Sequence, residues 1–333
     1  MLQTLRDSRI VSTLFVVVAV AVVVATVLRL TGLGAGRWPA ASLTAFALYA
    51  VLAVFAVALA ALLFGQRAPA AVLAVCALAV AATALSRARP NEQPAASGLT
   101  VRITSANLLR GHADAGALAA LVRERQTDVL ALQEFTPGTA AKLRAAGVLD
   151  ELPYLVHRRP GRLQDTALAS RWPLEQLDVP GLPTVYFAAT AQVPASEGRA
   201  ALALPLVSAH PLPPIYPSTQ GPWERWLAAL PGPQGPLAGG LVAGDFNATL
   251  DHAQFRDVLG RGWRDAADEA GEGLRPTWKG GAAFTPTRAL RLTIDHILVP
   301  PRAAVRGYAV DALPGSDHRA ITATVVLPAA AGG

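Results

Sequence analysis

Apolar residues crowd the first quarter of the chain and are spaced out in the rest. Ile10 to Leu28 is an unbroken charge-free run of 19 residues, a second charge-free stretch lies between Arg37 and Arg67, and a third runs from Ala68 to Ser86. At about 1.5 Å per residue, each is long enough to cross about 30 Å of hydrocarbon as a helix. Helices are the fitting form there, because backbone polar groups in lipid must be satisfied internally. The connections are short: Thr31–Trp38 carries Gly32, Gly34 and Gly36, and Gly65–Pro69 carries Arg67. The pattern predicts a membrane anchor over 1–86 with three transmembrane helices at about 10–30, 40–64 and 68–86. A cleaved signal peptide fits poorly, since the first run exceeds the usual apolar core of about 7–15 residues and two further runs follow it. A packed soluble helical domain would need polar helix faces, and these segments have almost none.

Past Ser86 the pattern changes. Residues 87–99 are polar, contain Pro90, Pro94 and Gly98, and read as a linker that reaches about 50 Å at most. Residues 100–328 form one domain-sized unit. Short aliphatic runs recur in it at Leu99–Thr104, Asp128–Leu132, Thr166–Ala169, Ala201–Ser208, Leu241–Ala243, Leu292–Val299 and Ala320–Val326. Their lengths and their Gly, Pro, Asn or Asp borders predict strands. Asp114–Arg125 predicts a helix with an aspartate cap, and Thr139–Ala146 and Trp223–Leu230 are shorter candidates. The fold class is α/β with substantial antiparallel sheet.

Composition sharpens the division. Hydrophobic residues make up 52% and charged residues 16%, against about 25% charged in soluble domains. The single cysteine, Cys76, excludes an intramolecular disulfide and a cysteine-rich zinc site. The first 90 residues hold seven Arg and one acid, leaving 22 basic and 22 acidic residues beyond them, so the whole net charge of +6 belongs to the first quarter of the chain. A neutral second domain argues against nucleic acid as a partner, because grip on a phosphate backbone draws on basic excess. No protein partner is predicted. Arginine placement leaves orientation open: Arg6, Arg9 and Arg67 share one side, and Arg29, Arg37, Arg87 and Arg89 the other.

Candidate chemistry collects at the predicted strand ends: Asn107, Glu134, His210, Asp245 with Asn247, Asp295 with His296, and Asp317 with His318. Glu134, Asp245 and Asp317 offer the hard oxygen donors that Mg²⁺ prefers, and a histidine beside an aspartate can hold or transfer a proton. Singly, Gly-Asp-Phe-Asn is an ordinary turn and Ser-Asp-His an ordinary cap. A charge inside the apolar run around Asp295 needs a partner. His296, its neighbour, points to the opposite face of a strand and reads as structural. Arg158, Arg159 and Arg162 could clamp phosphate, but read more simply as solvated loop arginines. Trp223 and Trp226 read as a core-facing helix, or alternatively as an aromatic lip at a membrane surface.

In order, the segments SANLL (105–109), ALQEF (131–135), TALASRWPL (166–174), VSAHPLPP (207–214), VAGDFNAT (242–249), IDHILV (294–299) and GSDHRAI (315–321) resemble the endonuclease/exonuclease/phosphatase, or DNase-I-like, superfamily over essentially the whole second domain. The resemblance implies a four-layer α/β sandwich with the site at one end. It implies Glu134 as principal metal ligand with Asn107 beside it, and Asp317 as an additional ligand for Mg²⁺ or Mn²⁺. It implies Asp245 orienting or deprotonating the attacking water, Asn247 on the phosphate, Asp295 orienting His318, His318 touching the scissile phosphate, and His210 at the leaving group. The superfamily spans many phosphoesters. Three spans followed by this domain resemble VanJ-type bacterial membrane proteins linked to teicoplanin resistance. That layout implies a multi-pass protein of the bacterial cell membrane, with its domain outside the cytoplasm acting on a lipid-linked phosphate such as undecaprenyl pyrophosphate. A membrane-anchored nuclease or phosphodiesterase, a sphingomyelinase-like phospholipase C, and a catalytically inert scaffold stay open as alternatives.

Overall fold

The computed structural model describes residues 9–158, 165–196, 200–280 and 290–328. Helices α1 (Arg9–Thr31), α2 (Ala40–Thr44), α3 (Ala47–Leu63) and α4 (Arg67–Leu85) come first. Two are long and apolar enough to cross a membrane, α1 and the helix from Arg67 prolonged to Ala88, while α3 is a shorter apolar helix. The α1 and α4 helices run parallel and α3 runs back between them in sequence. Ser12 Oγ donates to Gln66 Oε1 at 2.9 Å at one end, and Arg29 reaches Thr83 Oγ1 at 3.3 Å at the other. Ala19, Ala58 and Leu73 pack where the three meet. Leu14, Leu52 and Leu78 face outward, an apolar surface that suits lipid better than water.

The stretch predicted as one helix over 40–64 is interrupted. The α2 helix is separate from α3 and docks on the second domain: Ala41 is fully buried in that domain's core, and Ser42 Oγ donates to Pro214 O at 2.6 Å. Hydropathy scores an alanine alike whether lipid or protein covers it, so this break left no trace in the apolar run.

The second domain has fourteen strands among the described residues. The first seven are β1 (Thr100–Asn107), β2 (Val129–Gln133), β3 (Tyr154–His157), β4 (Thr166–Ser170), β5 (Leu174–Gln176), β6 (Tyr186–Val193) and β7 (Leu202–Ala209). The rest are β8 (Leu241–Asp245), β9 (Arg264–Asp265), β10 (Trp278–Lys279), β11 (Arg291–Leu292), β12 (Asp295–Val299), β13 (Ala304–Ala312) and β14 (Arg319–Val326). They form two six-stranded sheets, ordered β13-β14-β1-β2-β4-β3 and β5-β6-β7-β8-β12-β9, plus a small β10-β11 ribbon. Period-two alternation builds the layers. Ile103, Val129 and Leu168 of one sheet meet Ala189, Leu206 and Ile297 of the other in a central core. On the outer face of the first sheet, Leu130 and Leu132 pack under α5 (Ala115–Glu124), α6 (Thr139–Ala145) and α7 (Val148–Glu151). On the outer face of the second, Val207 and Val242 pack under α8 (Pro217–Ala229) and α9 (Ala253–Leu259). Trp223 of α8 is fully buried there, its indole N–H donating to Phe246 O at 3.1 Å, so it forms no lip at a membrane surface.

Residues 87–99 are not a free tether. Gly273 N–H donates to Arg87 O at 3.1 Å, Asn91 N–H to Glu269 O at 3.0 Å, and Val305 N–H to Gln93 Oε1 at 2.8 Å. The segment is a strap laid against the domain, with its proline and glycine content serving an extended path instead of slack. The N-terminal helices also touch the domain directly. Buried Asp251 pairs with both Arg29 and Arg87, and its carboxyl lies below the usual range because the two guanidinium groups outweigh its burial. His252 bonds Ala41 O at 2.9 Å, Trp38 donates to Ile215 O at 3.5 Å, and the Tyr49 hydroxyl bonds the backbone of Arg291. Gly32 (φ 74°) is needed at the turn after α1, because a Cβ there would lie 2.7 Å from Ala253 Cβ.

Candidate active site

Parallel pairing of β1 with β2 and of β7 with β8 brings the C-terminal ends of all four strands to one end of the sandwich. Antiparallel β14 and β12 begin at that same end. This topology assembles Asn107, Glu134, His210, Asp245, Asp295 and His318 from six strands. Two of the turns are in the left-handed region, Glu134 at φ 53° and Asn247 at φ 49°. Such backbone is costly for these residues and is found where the surroundings hold a side chain to a task. Gly244, before Asp245, is required by packing: a Cβ would lie 2.0 Å from Ala209 O on the adjacent strand.

Asp245 is the hub. Its Oδ1 accepts the Asn247 N–H at 2.8 Å and its Oδ2 accepts Asn107 Nδ2 at 3.0 Å. The same Oδ2 lies 3.5 Å from His318 Nε2 and 3.7 Å from His210 Nε2. His318 Nδ1 in turn meets Asp295 Oδ2 at 2.9 Å. Asp245 and Asp295 are cross-strand partners in β8 and β12, so two carboxylates share one imidazole. Burial pushes the Asp245 carboxyl up, and Asp295 adds to that, with His318 opposing. Burial alone would lower His318, but Asp295 and Asp245 together carry it well up, so it stays an imidazolium through neutral pH. His210 is pulled down to about 4, by burial first and by the nearby His318 charge second, and is therefore neutral. The arrangement offers a carboxylate that can take a proton from water beside a fixed positive charge that can stabilise phosphoryl oxygens.

Asp245, Asp295 and His318 converge closely enough, within 4.8 Å, to hold an ion. The same three also form an Asp–His–Asp chain, with His318 Nδ1 on Asp295 at 2.9 Å and Nε2 3.5 Å from Asp245, that can hold a positive charge beside a phosphate. Glu134 is a further oxygen donor at the same end, its carboxylate accepting Asn107 Nδ2 at 3.3 Å and Arg110 N–H at 2.9 Å. The Asp317 carboxylate turns to the Trp278 indole N–H at 3.1 Å, and its Oδ1 is buried without a partner among the described residues, a second oxygen suited to a cation or its water shell. Asn247 Nδ2 donates to Pro211 O at 2.9 Å, tying two site loops together.

Two supporting residues escaped sequence reasoning. Thr277 accepts the amides of Ile294 and Asp295 at 3.1 Å each, and no motif marked it. Ser316 donates to Asn107 O at 2.8 Å and accepts the His318 N–H at 3.1 Å; it stands inside the Gly-Ser-Asp-His segment, which was its signal. His296 stays out of the site, held between Asp265 Oδ2 at 2.7 Å and Ala248 O at 2.8 Å. Arg158 is exposed, and Arg159 and Arg162 lie outside the described residues.

Residues 104–318 match the Endonuclease/Exonuclease/phosphatase family. The chain belongs to that family. The family hydrolyses phosphoester bonds, so the domain has a phosphoesterase fold. Among solved structures, D. rerio TDP2 humanized by 14 mutations is similar at 19% identity and a TM-score of 0.51, covering 68% of this chain and 98% of that one. D. rerio TDP2 complexed with single strand DNA product is similar at 20% identity and 0.51, with the same coverages of 68% and 98%. These likenesses are of fold. No curated protein matches the sequence.

Proposed function

We propose that this family member is a membrane-bound, metal-dependent phosphoesterase that hydrolyses a lipid pyrophosphate such as undecaprenyl pyrophosphate. Its site would comprise Glu134, Asn107 and Asp317 around Mg²⁺ or Mn²⁺, with His210, Asp245, Asn247, Asp295 and His318 at the phosphate. The observation that carries the substrate class is where the anchor docks. Its contacts fall on Pro214, Ile215, Asp251, His252 and Arg291. Those residues lie on the loops that carry His210 and Asn247 and on the approach to Asp295. An anchor bound at that end holds the site near the bilayer, where a lipid headgroup is presented. The neutral charge of residues 91–333 supports the same reading.

The chemistry follows from the residues. Asp245 takes a proton from water as the water attacks phosphorus. His318, kept charged and oriented by Asp295, stabilises the phosphoryl oxygens. His210, neutral, would offer a ring N–H as a hydrogen bond to the leaving-group oxygen. A cation at Glu134 would supply further charge stabilisation. In the proposed membrane arrangement the three apolar helices cross the bacterial cell membrane and the domain lies outside the cytoplasm. Removal of undecaprenyl pyrophosphate there would bear on glycopeptide resistance.

The test offers the purified full-length protein undecaprenyl pyrophosphate in detergent with Mg²⁺ or with EDTA, beside a supercoiled plasmid. Phosphate release that needs Mg²⁺, with intact plasmid, is expected. Plasmid nicking without phosphate release would assign the site to nucleic acid and leave the anchor a matter of location.

A further inference from the structure

Where the anchor meets the domain there is an open cleft of about 200 Å³. One wall is the turn before α3 and its start, with Ala45, Leu48 and Tyr49; the other is Leu250, Leu274 and Leu292 of the domain. The domain wall belongs to the catalytic end. Leu250 follows Asp245 by one short loop, and Leu292 precedes Asp295 by another. Pro276, also on the wall, precedes Thr277, whose hydroxyl accepts the Asp295 amide at 3.1 Å. The Tyr49 hydroxyl closes one edge, donating to Arg291 O at 3.2 Å and accepting Arg291 N–H at 2.7 Å. Arg87, Asp251 and Arg291 also line the cleft; Arg87 and Asp251 meet each other at 2.8 Å, and the leucines make up its apolar walls.

Leu48 is also the first member of a stripe. Leu48, Leu52, Phe55, Leu59 and Leu62 recur at steps of three and four along α3, on one helix face, and all are exposed, Leu52 at 69% and Leu59 at 58%. The stripe begins in the cleft and continues along the helix surface that lipid would cover. Resting on the lipid-phosphate reading above, we propose that this cleft takes the headgroup-proximal part of the substrate's apolar chain, so that α3 is one wall of the substrate site. Its volume is below the roughly 300–1,000 Å³ of pockets that enclose a drug-sized ligand, so it holds a segment of chain while the remainder lies along the stripe. The anchor then serves specificity as well as location, favouring a long-chain pyrophosphate over a short one with the same headgroup.

The experiment compares kcat/KM of the full-length protein for undecaprenyl pyrophosphate and for isopentenyl pyrophosphate, in wild type, Leu48→Gln and Leu274→Ala. The long-to-short ratio is expected to fall about tenfold in each variant. An unchanged ratio in a variant that turns over both substrates overturns the proposal and leaves the lipid-phosphate reading standing. Wild-type protein that hydrolyses neither pyrophosphate but nicks plasmid overturns that reading itself. A second measurement needs no altered wall: an undecaprenyl pyrophosphate analogue carrying a diazirine in its first chain units, photolysed with Asp245→Asn protein. Labelling within 45–49 or 249–250 is expected, and labelling confined to other segments counts against the cleft.

Discussion

His252 makes the contact between the N-terminal helices and the domain sensitive to acid. Its ring is fully enclosed, with Nδ1 accepting the Thr249 N–H at 2.9 Å and Nε2 donating to Ala41 O at 2.9 Å. In the neutral ring both nitrogens are satisfied, whereas a proton on Nδ1 would exchange the Thr249 N–H bond for a longer one to Thr249 O at 3.3 Å inside a fully buried site. Burial, the largest influence, pulls its pKa from 6.5 to about 4, and the backbone bonds to Ala41 and Thr249 oppose it only in part. The folded value lies below the unfolded one, so on acidification the unfolded chain binds the proton first. Stability is complete above pH 6.5 and is lost as pH falls toward 4. Linkage across that gap removes roughly 2 kcal/mol by pH 5 and about 3 kcal/mol at still lower pH. For a domain of this size, 2 kcal/mol corresponds to about 4–8 °C in Tm. The assay is thermal unfolding in detergent, followed by tryptophan fluorescence at pH 7.5 and pH 5, for wild type and His252→Gln. The wild type should lose about 4–8 °C more than the variant over that interval. Parallel losses in the two proteins would refute the assignment of the acid sensitivity to this ring.

Three further outcomes follow from the same geometry. Asp295→Asn removes the main influence holding His318 charged, so kcat should drop about 10²–10⁴-fold and the alkaline limb of its pH profile should move to lower pH, which pH–rate measurement resolves. Asp251→Asn leaves Arg29 and Arg87 buried against a neutral amide, costing about 3–5 kcal/mol of docking, visible as faster proteolysis within the strap at 87–99. Gly244→Ala drives a Cβ into Ala209 O and should destabilise the β7–β8 pair by about 3 kcal/mol, read as a lowered Tm.

Much of the fold could be read from local pattern. Strands β1, β2, β4, β7, β8, β12 and β14 are short apolar runs with turn residues at both ends, and all seven coincide with predicted runs to within a few residues. The α5 helix carries the Asp114 cap, whose Oδ1 accepts the Ala117 N–H at 2.9 Å. The strands that escaped are those whose alternation is blurred. Tyr186–Val193 is alanine-rich and buried on both faces, and Ala304–Ala312 is interrupted at Gly307, where the register shifts. Both helices after the Gly-Asp-Phe-Asn segment, α9 and the one at Ala266–Glu269, leave too short a pattern to predict, being only seven and four residues long. For the site, the ordered motifs named Asn107, Glu134, Asp245 and His318 together, because strand ends from distant segments converge wherever parallel and antiparallel pairing share one edge. Thr277 was invisible because its role is a backbone contact across 18 residues. The docking of α2 and of the strap was invisible for a related reason: it depends on which surface an alanine or asparagine meets, and composition does not encode that.

The central claim is that Asp245 and His318 act on the phosphate of a lipid held at the membrane. Its most direct test reconstitutes wild type and Asp245→Asn in vesicles containing undecaprenyl pyrophosphate and follows phosphate release on addition of Mg²⁺. Release by the wild type that stops with EDTA and is absent in Asp245→Asn is the predicted result. Release that persists in Asp245→Asn at the wild-type rate would contradict the account.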